Sequence, residues 1–203
     1  RCQFASSHTK NSMRPARPHD PESWNLTTDV SGQLSIGTVP LNSIAGEFGT
    51  PVHVVHQAAL QRTAQRFLAS AAAQLPGSVS THYAFKCNAV PGVIAILKDC
   101  GLKAEVMTPA ELTIARRLGF THEDIIVNGP SKTRAFLAQC LRNRVRFIVV
   151  DSLPELARLM EVATLTDVSC NILLRVNPDI VPTGVSAGSA TGSRTGCAFG
   201  LDV

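Results

Sequence analysis

The stretch HYAFKCNAVPGVIAILKDCGLKAEVMTPAELTIARRLG, residues 82–119, carries one repeating unit twice over, and the fold is read from it. A short apolar run, HYAFK (82–86), is followed by helix-forming sequence from Pro91 to Cys100. Proline is tolerated in a first helical turn, and Gly101 supplies the stop. The same order then returns. LKAEVM (102–107) leads into Thr108-Pro109-Ala110-Glu111, which has the spacing of a capping box, and Gly119 closes the helix behind it. Runs of four to six apolar residues alternating with helices of about ten predict parallel strands joined by crossover helices.

Working outward, the unit recurs in both directions. Upstream, PVHVVH (51–56) reads as a strand, and Gln57 to Leu75 is rich in helix formers that stop before Pro76-Gly77. Downstream, DIIVN (124–128) precedes a helix through about Arg142. RFIVVD (146–151) precedes a second box, Ser152-Leu153-Pro154-Glu155, that opens a helix to about Ala163. NILLRVN (171–177) is the sixth strand. Further out the periodicity fades: GQLSIGTVPL (32–41) alternates like a short strand and turn, and LNSIAGEFG (41–49) reads as a brief helix ending at glycine. Residues 1–28 mix Pro, Ser, Arg and His without period and are expected to be a disordered arm or linker. A Gly-, Ser- and Thr-rich loop, Pro182 to Cys197, follows the sixth strand and leads to FGLDV.

Six strands that are apolar on both faces, five of them followed by a helix, imply an α/β fold with a parallel sheet covered by helices. Two architectures satisfy this. A doubly wound open sheet is complete with five or six strands, whereas a (β/α)8 TIM-type barrel needs eight and about 250 residues. On the barrel reading, residues 29–203 are an incomplete barrel with about six of its eight strands.

Composition narrows the function. The 203 residues are 44% hydrophobic, and no apolar run approaches the ~18 residues of a membrane span, so a membrane protein is not expected. The opening stretch has no apolar block fit for a signal peptide, so the expected location is cytoplasmic. Nineteen basic against fifteen acidic residues give +4, and Arg142, Arg144 and Arg146, the one basic run, read as a solvated helix exit rather than a nucleic-acid surface. The six cysteines include no C-x-x-C pair. His53 and His56 fall on opposite faces of their predicted strand, so no metal site is expected.

In parallel α/β folds, chemistry collects at the carboxyl ends of the strands. Lys86, Asn88, Glu105, Asn128, Ser131, Lys132, Asp151, Arg175 and Asn177 stand there. Lys86 ends an apolar strand and is expected to be partly desolvated, a Schiff-base candidate; the plainer alternative is a lysine snorkelling to solvent. Asn88 and Asn177 suit turn caps. Arg175, inside LLRVN, must find an acceptor, either a ligand or Glu105 or Asp151, and Glu105 interrupts its strand in the same way. The loop GVSAGSATGSRTG matches neither phosphate-binding glycine pattern, so a nucleotide cradle is not expected.

Taken in order, YAFKCN (83–88), GLKAEVMTPAEL (101–112), IVNGPSK (126–132), VVDSLPEL (149–156), LLRVNPD (173–179) and FGLD (199–202) resemble the pyridoxal-phosphate-dependent ornithine/diaminopimelate/arginine decarboxylases, whose barrel is alanine-racemase-like. The resemblance runs from about Gly32 to Val203 and covers the N-terminal part of such enzymes. It implies that Lys86 is the Schiff-base lysine of pyridoxal 5'-phosphate, that Glu105 matches an acidic position near the cofactor, and that Arg175 matches an active-site arginine. The implied activity is decarboxylation of an amino acid or an amino-acid-derived substrate, in a homodimer when full length. The family's phosphate loop, its acid for the pyridine nitrogen and its C-terminal β domain are expected beyond Val203, so this stretch is not expected to be active alone. One departure stands out: no histidine occurs between Pro182 and Cys197, where many relatives place one against the cofactor ring. A racemase of the same fold, a non-catalytic or degenerate pyridoxal-phosphate-binding barrel, and an open-sheet module without cofactor are the alternative readings.

Overall fold

The computed structural model describes residues 20–177 and 201–202. The chain divides into two compact units, residues 1–59 and 60–203.

In the first unit the chain makes a short 3-10 turn at Pro21–Trp24, capped by the Asp20 carboxylate, which accepts from the Glu22 amide at 3.1 Å. Strands β1 (Leu26–Thr28), β2 (Leu34–Ile36) and β3 (Val39–Pro40) form an antiparallel meander. Asp29 shapes the first connection by accepting from the amides of Ser31 and Gln33, each at 2.9 Å. Helix α1 (Leu41–Phe48) ends at Gly49, whose φ of 77° favours glycine. Two expectations are corrected here. Residues 21–28, read as part of an arm, form the turn and β1, because β2 offers them a partner in register Leu26↔Ile36. Residues 51–56, read as a strand, have no strand structure: Val52, Val54 and Val55 stay 41–50% exposed, and no described strand pairs with them. Alternation creates a strand only where a neighbouring edge supplies the hydrogen bonds.

Helix α2 (Gln57–Gln74) follows, and from there the repeat of strand and helix holds. The elements are β4 (His82–Ala84), α3 (Pro91–Asp99), β5 (Lys103–Val106), α4 (Pro109–Arg117), β6 (Ile125–Val127), α5 (Arg134–Arg142), β7 (Phe147–Val150), α6 (Leu153–Thr166) and β8 (Ile172–Leu174). Strands β4 to β8 form one parallel sheet in sequence order, the order of a barrel wall rather than of a doubly wound sheet with a switch point. The predicted sixth strand, 171–177, is divided at Arg175. Its second half is β9 (Val176–Asn177), which pairs in parallel with β10 (Leu201–Asp202). Arg175 spans the division: its amide donates to Val150 O at 3.0 Å and its carbonyl accepts from the Leu201 amide at 2.7 Å. Five of the six expected wall strands, β4 to β8, therefore stand in one sheet; β9 and β10 form a separate two-stranded pair, and no described strand fills the place assigned to 51–56. The loop 182–197 and residues 1–19 lie outside the described residues.

Alternation along the strands separates two faces. On one, Ala104, Val106, Ile125, Val127, Ile148 and Val150 are fully buried beneath Leu112, Ala115, Leu137, Cys140 and Leu159 of the helices. Each such valine, leucine or isoleucine contributes about 1.5–3 kcal/mol of burial. The register brings Ala84, Glu105, Ile126 and Phe147 together on the other face, where all four are only part-buried. That face carries the candidate Glu105.

Candidate functional site

The carboxyl ends of β4 to β8 gather the polar residues singled out in the sequence. β4 stops at Ala84, and the chain turns through a 3-10 segment, Phe85–Cys87, that presents Lys86. Phe85 anchors this turn: it is 1% exposed and packs edge-on against Phe120 at 6.0 Å. Tyr83 donates to Asn88 O at 3.4 Å, and burial, with Cys87 beside it, pushes its phenol up to about 12, so it stays a donor. Asn88 is a turn cap, its side-chain oxygen accepting from the Val90 amide at 3.0 Å. Lys86 itself is exposed, not partly desolvated as expected from a strand end, because its neighbour Phe85 takes the inward position. It makes no ion pair or hydrogen bond among the described residues.

Glu105 lies one strand over, in register with Ala84. Asn128 donates to its Oε1 at 2.8 Å and also accepts from the Gly129 amide at 2.8 Å, so one asparagine orients the carboxylate and the turn after β6. Gly129 is required there: its φ is 98°, and a Cβ would sit 3.0 Å from Met107 Cε.

A second group stands where β7 meets the division between β8 and β9. Lys132 is 1% exposed, and its ammonium lies 3.2 Å from Asp151 Oδ2 and 2.9 Å from Glu155 Oε1, while also donating to the Gly129 carbonyl. Asp151 and Glu155 are buried with it, and Glu155 Oε2 accepts from the Asp151 amide at 2.8 Å. Arg175, its side chain 26% exposed, reaches Asp151 Oδ1 at 3.3 Å. Of the acceptors weighed for Arg175 from sequence, Asp151 is the one the fold brings within reach. Glu155 was legible only as a helix cap; its ionic role depends on Lys132, 23 residues away, which periodicity does not register. A lysine following an apolar strand into a glycine turn was the available signal.

Helices on the buried face, a parallel wall in sequence order and polar residues at the strand ends define part of an alanine-racemase-like α/β barrel. The chain belongs to the family described as "Pyridoxal-dependent decarboxylase, pyridoxal binding domain", which it matches over residues 60–203. It is 30% identical over 152 residues to the diaminopimelate decarboxylase of Zymomonas mobilis and 33% identical over 149 residues to that of Vibrio cholerae. These matches cover 75% and 73% of this chain but 36% and 35% of those enzymes, so the chain spans about a third of their length. The crystal structure of diaminopimelate decarboxylase from M. jannaschii superposes with a TM-score of 0.77 at 25% identity, over 88% of this chain and 41% of that one. No helix among the described residues is long and apolar enough to cross a membrane.

Proposed function

We propose that this chain is the N-terminal, cofactor-holding part of a pyridoxal-phosphate-dependent amino-acid decarboxylase acting on a diaminopimelate-like substrate. The observation that carries the reading is Lys86: an exposed primary amine with no hydrogen bond or ion pair among the described residues, held on a 3-10 turn at a strand end, beside a wall that belongs to this family. That no described carboxylate pairs with it suits an amine that must attack an aldehyde. Glu105, with one oxygen committed to Asn128, offers a fixed negative charge beside that rim. Arg175, 3.3 Å from Asp151 Oδ1, brings a guanidinium to the same end of the wall, a group suited to an anion. The donor set thus fits the cofactor: an amine for its aldehyde, a carboxylate and a guanidinium for its charged periphery. When bound, the cofactor supplies the sink for the electron pair left as CO2 departs from the substrate α-carbon.

In the same reading, residues 29–203 belong to the barrel of a longer cytoplasmic enzyme that works as a homodimer, with 1–28 outside the barrel. The names of the relatives support the substrate class.

The test is incubation of the full protein with pyridoxal phosphate, borohydride reduction and peptide mapping. Label concentrated on Lys86 is the expected result, and Lys86→Ala abolishes it. Label spread over other lysines, or none on Lys86, overturns the assignment.

A further inference from the structure

The group around Lys132 is more than the fold requires. A buried lysine with two buried carboxylates is expensive to desolvate, and apolar residues of similar volume serve a core equally well or better. What distinguishes this group is where it ends. Asp151 divides its two oxygens: Oδ2 faces Lys132 in the interior, and Oδ1 faces Arg175 at the rim. Glu155 fixes the same residue from behind, through the Asp151 amide at 2.8 Å, while its other oxygen lies 2.9 Å from the lysine. Lys132 is in turn held by its backbone, since Arg158 of α6 donates to its carbonyl at 3.1 Å. Among the described residues the group holds two cations and two anions, and Lys132, Asp151 and Glu155 are buried while Arg175 is partly exposed.

We propose that Lys132 is a positioning residue for Arg175: by holding one oxygen of Asp151 it sets the rotamer of that carboxylate, and so fixes where the guanidinium stands at the rim of the site. This rests on Arg175 being a cofactor-site residue, as proposed above. The role of Lys132 is indirect, through Asp151, and Glu155 supports it by pinning the backbone.

The experiment uses the full protein and the affinity for pyridoxal phosphate, read from the absorbance of bound cofactor, with the melting temperature of the cofactor-free protein measured alongside. Lys132→Met combined with Glu155→Gln removes one charge of each sign and keeps the interior balanced. This pair is expected to weaken cofactor binding about tenfold, the scale of one charge-assisted hydrogen bond. Arg175→Gln is expected to do the same. When the two are combined the losses must not multiply, because a lysine that acts through Arg175 has nothing to act on once the guanidinium is gone. Asp151→Asn, which leaves Lys132 and Glu155 to balance each other, covers the case in which the paired variant fails to fold, and it must show the same dependence on Arg175. Losses that multiply to about a hundredfold, or unchanged binding in both Lys132→Met/Glu155→Gln and Asp151→Asn, overturn the positioning role. Unchanged binding in Arg175→Gln alone instead removes Arg175 from the cofactor site, and with it the premise.

Discussion

At the start of α4 the Thr108 hydroxyl accepts from the Glu111 amide at 3.2 Å, and the Glu111 carboxylate accepts from the Met107 amide at 2.6 Å. At the start of α6 the Ser152 hydroxyl accepts from the Glu155 amide at 3.4 Å, and the Glu155 carboxylate accepts from the Asp151 amide at 2.8 Å. In both, the glutamate reaches one residue further back than a standard capping box, tying the strand end to the helix it feeds. Locally the two are the same device. They part in what lies opposite: Glu111 is only part-buried and serves the cap, whereas Glu155 is 3% exposed and faces the Lys132 ammonium. One four-residue signal therefore sets a helix start in both places, while burial turns one of its glutamates into part of a charge network.

Lys132→Met probes this difference most harshly. It leaves Asp151 and Glu155 buried with Arg175 as the remaining cation of the group, and breaking a buried pair in this way costs about 3–5 kcal/mol. Urea unfolding of the full protein measures it, and a loss below about 1 kcal/mol would show that the group is not the desolvated network described. Glu155→Ala comes next, expected to cost about 2–3 kcal/mol because a charged partner is lost with the cap, against less than about 1 kcal/mol for Glu111→Ala. Equal losses would erase the distinction between the two helix starts. Thr108→Ala and Ser152→Ala should each cost about 1 kcal/mol, because the hydroxyls do the same work in both places. A Ser152→Ala loss well above that of Thr108→Ala would mean the network also depends on the cap.

These same residues mark what the sequence could reveal. Both caps, the stops at Gly101 and Gly119 (φ 98° and 79°), and the order β4 to β8 are local or nearly local properties, written in spacing and in turn chemistry. The valines of 51–56 carried an equally good strand pattern, but a strand is settled by its neighbour and no described strand pairs with them. Pro21–Thr28 shows the reverse, an aperiodic stretch ordered by β2. At the site, the role proposed for Lys86 comes from its place among ordered motifs, but its exposure was not legible there, since that follows from Phe85 turning inward. The pairing of Asp151 with Lys132 and Arg175 joins residues 19 and 24 apart, and only the packing of adjacent strand ends brings them within 3.3 Å.

A third capped turn gives the mildest test. Thr121 and Asp124 close a full capping box before β6: the Asp124 carboxylate accepts from the Thr121 amide at 3.0 Å and its hydroxyl at 2.6 Å, and lies 3.3 Å from the Lys103 ammonium. Partial burial works to raise this carboxyl, but the hydrogen bonds from Thr121 and the charge of Lys103 outweigh it and hold Asp124 below the ordinary 3.8. A carboxylate depressed in the folded state adds stability above its unfolded value, and that contribution is lost as the pH falls through the folded value. Asp124→Asn should therefore lower stability at neutral pH and flatten its fall below about pH 4, with the two proteins converging in acid. Parallel curves across that range would mean that this box, unlike the one at α6, owes nothing to charge.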